Sequence, residues 1–350
     1  MSRSVNVGLV GYGMAGRVFH APVISAVPQL RLAAIVERHG DASRQRYPGV
    51  AVVKDASEIF GNKDIELAVI ATPNATHFDL ARAALLAGKH VVVDKPFTVA
   101  SSDAQELVDL AKKAGRILTV FQNRRWDGDF LTVSEIVRAG RLGHLVEFES
   151  NFDRFRVRRK PGAWKEQPGP GSGLLYDIGP HLVDQALALF GSPTSLAADI
   201  RIERDKAETD DQFEIVLHYP GLKVTLEAGM LACEPRPRFR LNGTNGSFVK
   251  CGLDPQEEAL REGASPAGAD WGREGAGRWG TLTTGEGMRL RRETVETAPG
   301  RYSAFYENVY DAIVNGAGLC VKPEQGRAVI RIIERALQSS RDGLTVGLDA

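Results

Sequence analysis

The sequence predicts an α/β domain joined to an α+β domain: a parallel sheet wound with helices comes first, then an open antiparallel sheet flanked by helices. Three observations predict it. Up to about residue 120, compact apolar runs alternate with stretches of helical periodicity, the pattern of strands covered on both faces. Beyond about residue 123 the apolar residues alternate with period two, as in strands with one buried and one wet face. A glycine-rich loop joins the first apolar run to the first helical stretch. The expected domains are residues 1–123 and 124–350, with the late helices of 302–340 packing back on the first.

In the first domain the expected strands are 5–10, 31–36, 50–53, 66–71, 90–93 and 117–121. Helical patterns occupy 78–87, closed by Gly88, and 104–114. The second follows Ser101-Ser102-Asp103, which can supply an N-cap, and ends at Gly115, a good C-terminal stop. A helix over 128–139 precedes the change of period. The alternating segments are 144–152, 195–203, 212–219, 222–231 and 238–243, with Pro220-Gly221 as the turn between two of them. One helix, 176–190, interrupts them, and helices over 302–314 and 324–339 follow. The stretch 254–287, rich in Gly, Ala and charge, reads as a long excursion. Phe148, Ile200, Val216 and Leu226 are expected on the sheet face turned away from the flanking helices, a surface for self-association.

The 350 residues carry 44 Lys+Arg against 44 Asp+Glu, with 43% hydrophobic residues. That is ordinary globular composition. A net charge of zero excludes a general nucleic-acid or anionic-membrane binder, which needs a basic surplus. No apolar run approaches the ~20 residues that span a bilayer. The opening MSRSVNVGLV is expected to enter a strand directly rather than serve as a signal peptide, so a cytoplasmic location is expected. Cys233, Cys251 and Cys320 are scattered and are expected to be buried, reduced thiols. No His/Cys/Asp cluster has metal-ligand spacing, so no metal is expected.

Gly11, Gly13 and Gly16 form G-x-G-x-x-G between a strand and a helical stretch. In that context the pattern is a dinucleotide fingerprint: a tight turn, close backbone approach to a pyrophosphate, and a helix start facing the anion. It makes the first domain a Rossmann domain, with Tyr12 and Met14 in the same loop. Glu37 follows the second strand about 20 residues past the last glycine, where a carboxylate accepts hydrogen bonds from the adenine ribose. It favours NAD because it would repel a 2′-phosphate. Arg38 beside it could pair with that phosphate, so NADP stays open.

Open α/β sheets take ligands at the carboxyl ends of their strands. Thr72-Pro73-Asn74 and Asp94-Lys95-Pro96 stand at two such ends, and His77 opens the helix after the first. Lys95 is placed for chemistry, although the three residues alone fit a plain Lys-Pro turn equally well. Asp177 and His181 lie four apart and share a helical face. A carboxylate there can orient and tune an imidazole, and a structural helix pair explains the spacing too. Arg154, Arg156, Arg158, Arg159 and Lys160 crowd one loop, either solvated or a lid; Arg154, nearest the strand, is the candidate for substrate contact.

The chain resembles the Gfo/Idh/MocA oxidoreductases, nearly end to end. The resemblance is carried by VGLVGYGMAG (7–16), ATPNATHFDLARAALLAGKHVVVDKPFTV (71–99), QNRRWDGDFLT (122–132), FESNFDRFR (148–156), GSGLLYDIGPHLVDQALALFG (171–191) and GLDPQEEAL (252–260). The family's usual E-K-P appears as Asp94-Lys95-Pro96, and with N-R-R-W-D it looks like the subgroup containing bacterial NADP-dependent scyllo-inositol dehydrogenases. Glu37-Arg38 departs from the Ser-rich strand end of that subgroup's NADP users. The resemblance implies hydride transfer between a secondary alcohol of a cyclitol or sugar and NAD or NADP. Lys95, Asp177 and His181 match the catalytic trio, Lys95 also reaching the cofactor and all three the substrate. Gly11–Gly16, Glu37, Arg38, Thr72, Pro73, Asn74 and His77 are expected at the cofactor, and the Lys95–Pro96 peptide is expected to be cis. It also implies a homodimer or dimer of dimers through the open sheet. The competing class is a non-catalytic dinucleotide-binding regulator of the same fold; retention of Lys95 and His181 favours the enzyme.

Overall fold

The computed structural model describes residues 3–160, 162–286 and 289–348; the outer limits of both expected domains, 1 and 350, lie outside the described residues, as does the last residue of the 254–287 stretch. The chain packs as two compact units. One takes in the chain up to Trp126 together with Pro255–Gly272 and Arg301–Ile330. The other is Asp127–Asp254, Arg273–Gly300 and the chain from Arg331.

The first unit is built on six strands: β1 (Val5–Val10), β2 (Leu30–Val36), β3 (Ala51–Val53), β4 (Leu67–Ile70), β5 (His90–Val93) and β6 (Leu118–Val120). All pair in parallel, in the order β3-β2-β1-β4-β5-β6. That is the doubly wound order whose direction reverses between β1 and β4. Every residue of β4 is fully buried, as are Val91, Val92 and Val93 of β5, which explains the lack of alternation in these runs. The helices are closed by local chemistry. Asp55 and Glu58 form a reciprocal capping box on Ala56–Gly61, and Ser101–Ala114 ends on Gly115 at φ 60°.

The second unit holds a nine-stranded sheet. Its strands are β7 (Leu145–Asp153), β8 (Ser195–Arg201), β9 (Gln212–Tyr219), β10 (Leu222–Gly229), β11 (Phe239–Gly243), β12 (Gly246–Lys250), β13 (Gly280–Glu286), β14 (Arg289–Val295) and β15 (Val346–Gly347). The order is β14-β13-β12-β11-β7-β10-β9-β8-β15. The sheet is mixed rather than purely antiparallel, because β7 and β10 run parallel at its centre. The helix Gly173–Phe190 packs on β7, β9 and β10.

Three sequence expectations need correction. The stretch 254–287 is no excursion: it supplies the helix Gln256–Arg261 and strand β13. Phe148 and Leu226 do not face outward. Leu226 pairs with Ile215, and Phe148 lies opposite Val224 and Leu241; all five side chains are fully buried, so this is the core face. Ile200 pairs with Phe213 on that face, and Val216 alternates to the other. The cysteines are all exposed and free, each standing in a connecting segment: Cys233 after β10, Cys251 after β12 and Cys320 between the helices Ser303–Asn315 and Pro323–Asp342. Among the described residues no helix is long and apolar enough to cross a membrane.

Candidate active site

The glycine loop leaves the carboxyl end of β1, and each glycine has its own reason. Gly11 sits at φ 104°, and a Cβ there would lie 2.5 Å from the Ala71 carbonyl oxygen. A Cβ on Gly16 would lie 2.0 Å from the carbonyl oxygen of Gly11. Both glycines therefore let backbone pack on backbone. At Gly13 a Cβ would meet nothing within 4 Å among the described residues. That open space over a bare backbone is what a pyrophosphate needs, so the loop fits a dinucleotide. The segment that follows, Ala15–His20, is wound wider than an α-helix.

At the carboxyl end of β2, Glu37 is tied into the turn that follows it. Its carboxylate accepts from the Ser43 hydroxyl at 2.6 Å and from the amides of Ser43 and Ala42 at 3.0 and 3.1 Å. Burial acts to raise its pKa, but those hydrogen bonds prevail and hold it below the ordinary carboxylate value. Lys54 Nζ donates to the carbonyls of Glu37 and Gly40 at 2.9 and 3.0 Å, while Arg38 is exposed. Burial raises the Tyr12 phenol, with Arg46, Glu37 and Arg17 close enough to influence it.

The segments after β4 and β5 complete this edge. Thr72 and Thr76 share a hydroxyl contact of 2.7 Å, Asn74 is buried and Pro73 is exposed. The Lys95–Pro96 peptide is cis, and the Lys95 amide donates to Asp94 Oδ1 at 2.9 Å. His77 differs from its expected place at the cofactor. Its side chain is fully buried and both ring nitrogens meet main-chain carbonyls, so it belongs to the frame of this edge and not to its lining.

The second unit holds the other candidates. The helix Gly173–Phe190 begins against Asp210: its carbonyl accepts from Leu174 N–H at 2.9 Å and its carboxylate from Leu175 N–H at 2.6 Å. These contacts satisfy amides that a helix start leaves without partners. Gly173 at φ 88° permits the approach, since a Cβ there would overlap the Asp210 carboxylate. One turn on, Asp177 is 2.5 Å from Lys165 Nζ and 3.8 Å from Arg154. Arg154 lies over the Phe152 ring at 4.9 Å. His181 follows on the same face and is buried. Of the remaining basic cluster, Arg159 is tied to Glu208 at 2.9 Å and to the carbonyls of Lys206 and Glu166, a structural clasp.

Comparison with known proteins agrees with this architecture. Residues 5–122 match the family model described as the NAD-binding Rossmann fold of the Gfo/Idh/MocA oxidoreductases, and residues 134–348 match that family's C-terminal alpha/beta domain. The chain belongs to the Gfo/Idh/MocA oxidoreductase family. A relative named uncharacterized oxidoreductase YdgJ, from Escherichia coli strain K12, is 46% identical, covering 99% of this chain and all of its own. The scyllo-inositol 2-dehydrogenase (NADP(+)) IolW of Bacillus subtilis strain 168 is 36% identical, covering 99% and 96%. Among solved structures, yvaA of Bacillus subtilis superposes with a TM-score of 0.96 at 35% identity, covering 99% of each chain. An oxidoreductase from Bacillus cereus gives 0.91 at 34%, with the same coverage.

Two residues of this family member carried no sequence signal. Lys165 sits in the short helical turn Trp164–Glu166, with no motif spacing to Asp177. Arg261, on the helix Gln256–Arg261 of the first unit, reaches within 4.0 Å of Met14 Sδ in the glycine loop and pairs with Glu257 at 2.8 Å. Glu257 in turn holds the buried Arg124 at 2.5 Å. Only fold-level contact reveals this support. Among the described residues no group of three or more His, Cys, Asp or Glu side chains could hold a metal ion.

Proposed function

We propose that the protein transfers a hydride between a secondary alcohol of a cyclitol or sugar and a nicotinamide dinucleotide. The observation that carries this is the place of Lys95: it leaves β5 at the carboxyl edge that also presents the glycine loop and Glu37, the edge where open α/β sheets take ligands. The inositol dehydrogenase name of one full-length relative supports the substrate class. The Gly11–Gly16 loop, Tyr12 and Met14 would hold the pyrophosphate, and Glu37, Arg38, Thr72, Pro73 and Asn74 the flanking groups. When bound, the nicotinamide supplies the hydride acceptor or donor.

In the oxidative direction His181 takes the hydroxyl proton as the hydride leaves the same carbon. Lys95 hydrogen-bonds the reacting oxygen and stabilises its developing charge. Asp177, one turn before His181, orients and tunes the imidazole, with Lys165 and Arg154 holding its carboxylate and Arg154 placed for a substrate hydroxyl. NAD is favoured by Glu37, with NADP admitted through Arg38. The three free cysteines suit a reducing cytoplasm. The assembly is a homodimer or dimer of dimers through the second unit's sheet, tested by light scattering after size exclusion; a monomer at micromolar concentration would overturn it.

The deciding experiment screens inositols and aldoses with NAD and NADP, following absorbance of the reduced nicotinamide. Turnover of at least one polyol is expected. Tight dinucleotide binding without any turnover would instead favour a non-catalytic regulator of the same fold.

A further inference from the structure

His77 opens the helix His77–Leu86 and is buried in the first unit. Its Nδ1 lies 2.8 Å from the carbonyl oxygen of Pro96, and its Nε2 lies 3.0 Å from that of Thr72. Those carbonyls belong to two different segments, one leaving β4 and the other leaving β5. The ring therefore spans the gap between the Thr72-Pro73-Asn74 segment and the residue that follows Lys95. On the other side of Lys95, Asp94 Oδ1 accepts the Lys95 amide and lies 3.5 Å from His20 Nε2. His20 Nδ1 is 2.6 Å from the Tyr306 hydroxyl, both side chains being fully buried. Lys95 is thus the residue between two anchored neighbours.

We propose that His77 is a positioning residue for Lys95, fixing the peptide after it through a hydrogen bond from Nδ1–H to the Pro96 carbonyl. Burial pushes the His77 imidazole below its ordinary pKa, against the pull of Asp94, so the neutral ring presents one N–H. That N–H is assigned to Nδ1 and the Pro96 carbonyl, and the Thr72 carbonyl lies against the unprotonated Nε2 without a hydrogen bond from it. The two contacts are separable by substitution. An asparagine carries an amide donor near the position of Nδ1 and can serve Pro96. A glutamine carries one near Nε2 and can serve Thr72.

The inference rests on the proposed function for the role of Lys95, and its test reads Lys95 directly as well as through turnover. His77→Asn, His77→Gln and His77→Ala are compared with wild type in three measurements. The first is the acetylation rate of Lys95 in cofactor-free protein, followed by mass spectrometry of the Lys95 peptide. The others are kcat with the best alcohol found and melting temperature. Loss of positioning is expected to lower kcat roughly 100-fold in His77→Ala, the scale of an ångström-size misplacement, and to change the Lys95 acetylation rate severalfold. His77→Asn should recover most of both, His77→Gln much less, because only the Pro96 contact abuts Lys95. A structural role predicts another order: the variants would rank by melting temperature, and folded molecules would keep wild-type acetylation and turnover. Equal recovery by Asn and Gln, or unchanged Lys95 acetylation in folded His77→Ala, would overturn the proposal. If wild type oxidises no alcohol at all, the function proposed above fails, and the acetylation ranking still decides the part played by His77.

Discussion

Asp210→Asn should change how stability responds to pH. Asp210 supports the helix that carries Asp177 and His181, accepting the Leu175 amide at 2.6 Å. Burial pushes its carboxyl from 3.8 up to about 6; the Leu175 amide opposes the rise and the neighbouring Asp211 adds to it. A tenfold change in proton affinity is about 1.4 kcal/mol, so this rise corresponds to about 3 kcal/mol. The folded protein binds this proton more tightly than the unfolded chain does. Stability from the group is therefore full below about pH 4 and is lost as pH rises through about 6. Asparagine keeps an acceptor for Leu175 and cannot ionise. The stability of the variant minus that of wild type should then grow by about 2.4 kcal/mol between about pH 4 and about pH 7.5. Urea unfolding of both proteins across that range, followed by circular dichroism, measures it. Taking the difference cancels carboxylates with lowered pKa, such as Glu37 and Glu147. Parallel curves, or a variant that loses ground as pH rises, would refute the reasoning. They would mean that the amides at the helix start outweigh burial.

Three other outcomes are expected. His181→Ala and Lys95→Ala should each lower kcat by roughly 10²–10⁴-fold with little change in melting temperature; a fall in melting temperature with unchanged turnover per folded molecule would make His181 a packing residue. Glu37→Ser should shift preference toward NADP in paired kinetics and cost about 1 kcal/mol through loss of the contacts to Ala42 and Ser43; a wild type that already strongly prefers NADP would show that Arg38 dominates. Lys165→Met should lower kcat/KM about tenfold by releasing the Asp177 carboxylate, with Lys165→Arg retaining most of it. Unchanged steady-state kinetics in the Met variant would reduce the pair to a surface contact.

What could be read in the sequence follows from burial. Strands β4 and β5 are apolar throughout because both faces are covered, and the glycine loop shows because backbone meets backbone at Gly11 and Gly16. Strand β14 stayed hidden because its side chains are largely exposed, so no apolar alternation marks it. The parallel pairing of β7 with β10 is a property of topology that no local pattern records. Among the candidate residues, Lys95, Asp177 and His181 are marked in the sequence by motif and spacing. Lys165 carries no such mark, since it meets Asp177 from the short helical turn Trp164–Glu166, which no motif links to Asp177. Glu37 stands out in the sequence for its place after β2, and its attachment to Ser43 is visible only once the intervening turn is folded. The exposed cysteines show the converse: residue type alone does not decide burial in a chain with enough aliphatic side chains to fill its cores.

The outer edge of the nine-stranded sheet has a bearing on colloidal behaviour. Strand β14 ends the sheet with Arg289, Arg291 and Arg292 exposed along seven residues. An unpaired strand edge is a template for another chain, and like charges along it are a common defence. The whole chain offers no help, because its 44 basic and 44 acidic residues cancel and long-range repulsion between molecules is weak. Protection at this edge therefore depends on a short-range field that fades as the Debye length falls from ~10 Å at 0.1 M salt to ~3 Å at 1 M. Added salt, usually a remedy for sticky proteins, would here remove the barrier to edge-on polymerisation, and solutions of moderate ionic strength should stay clear longest.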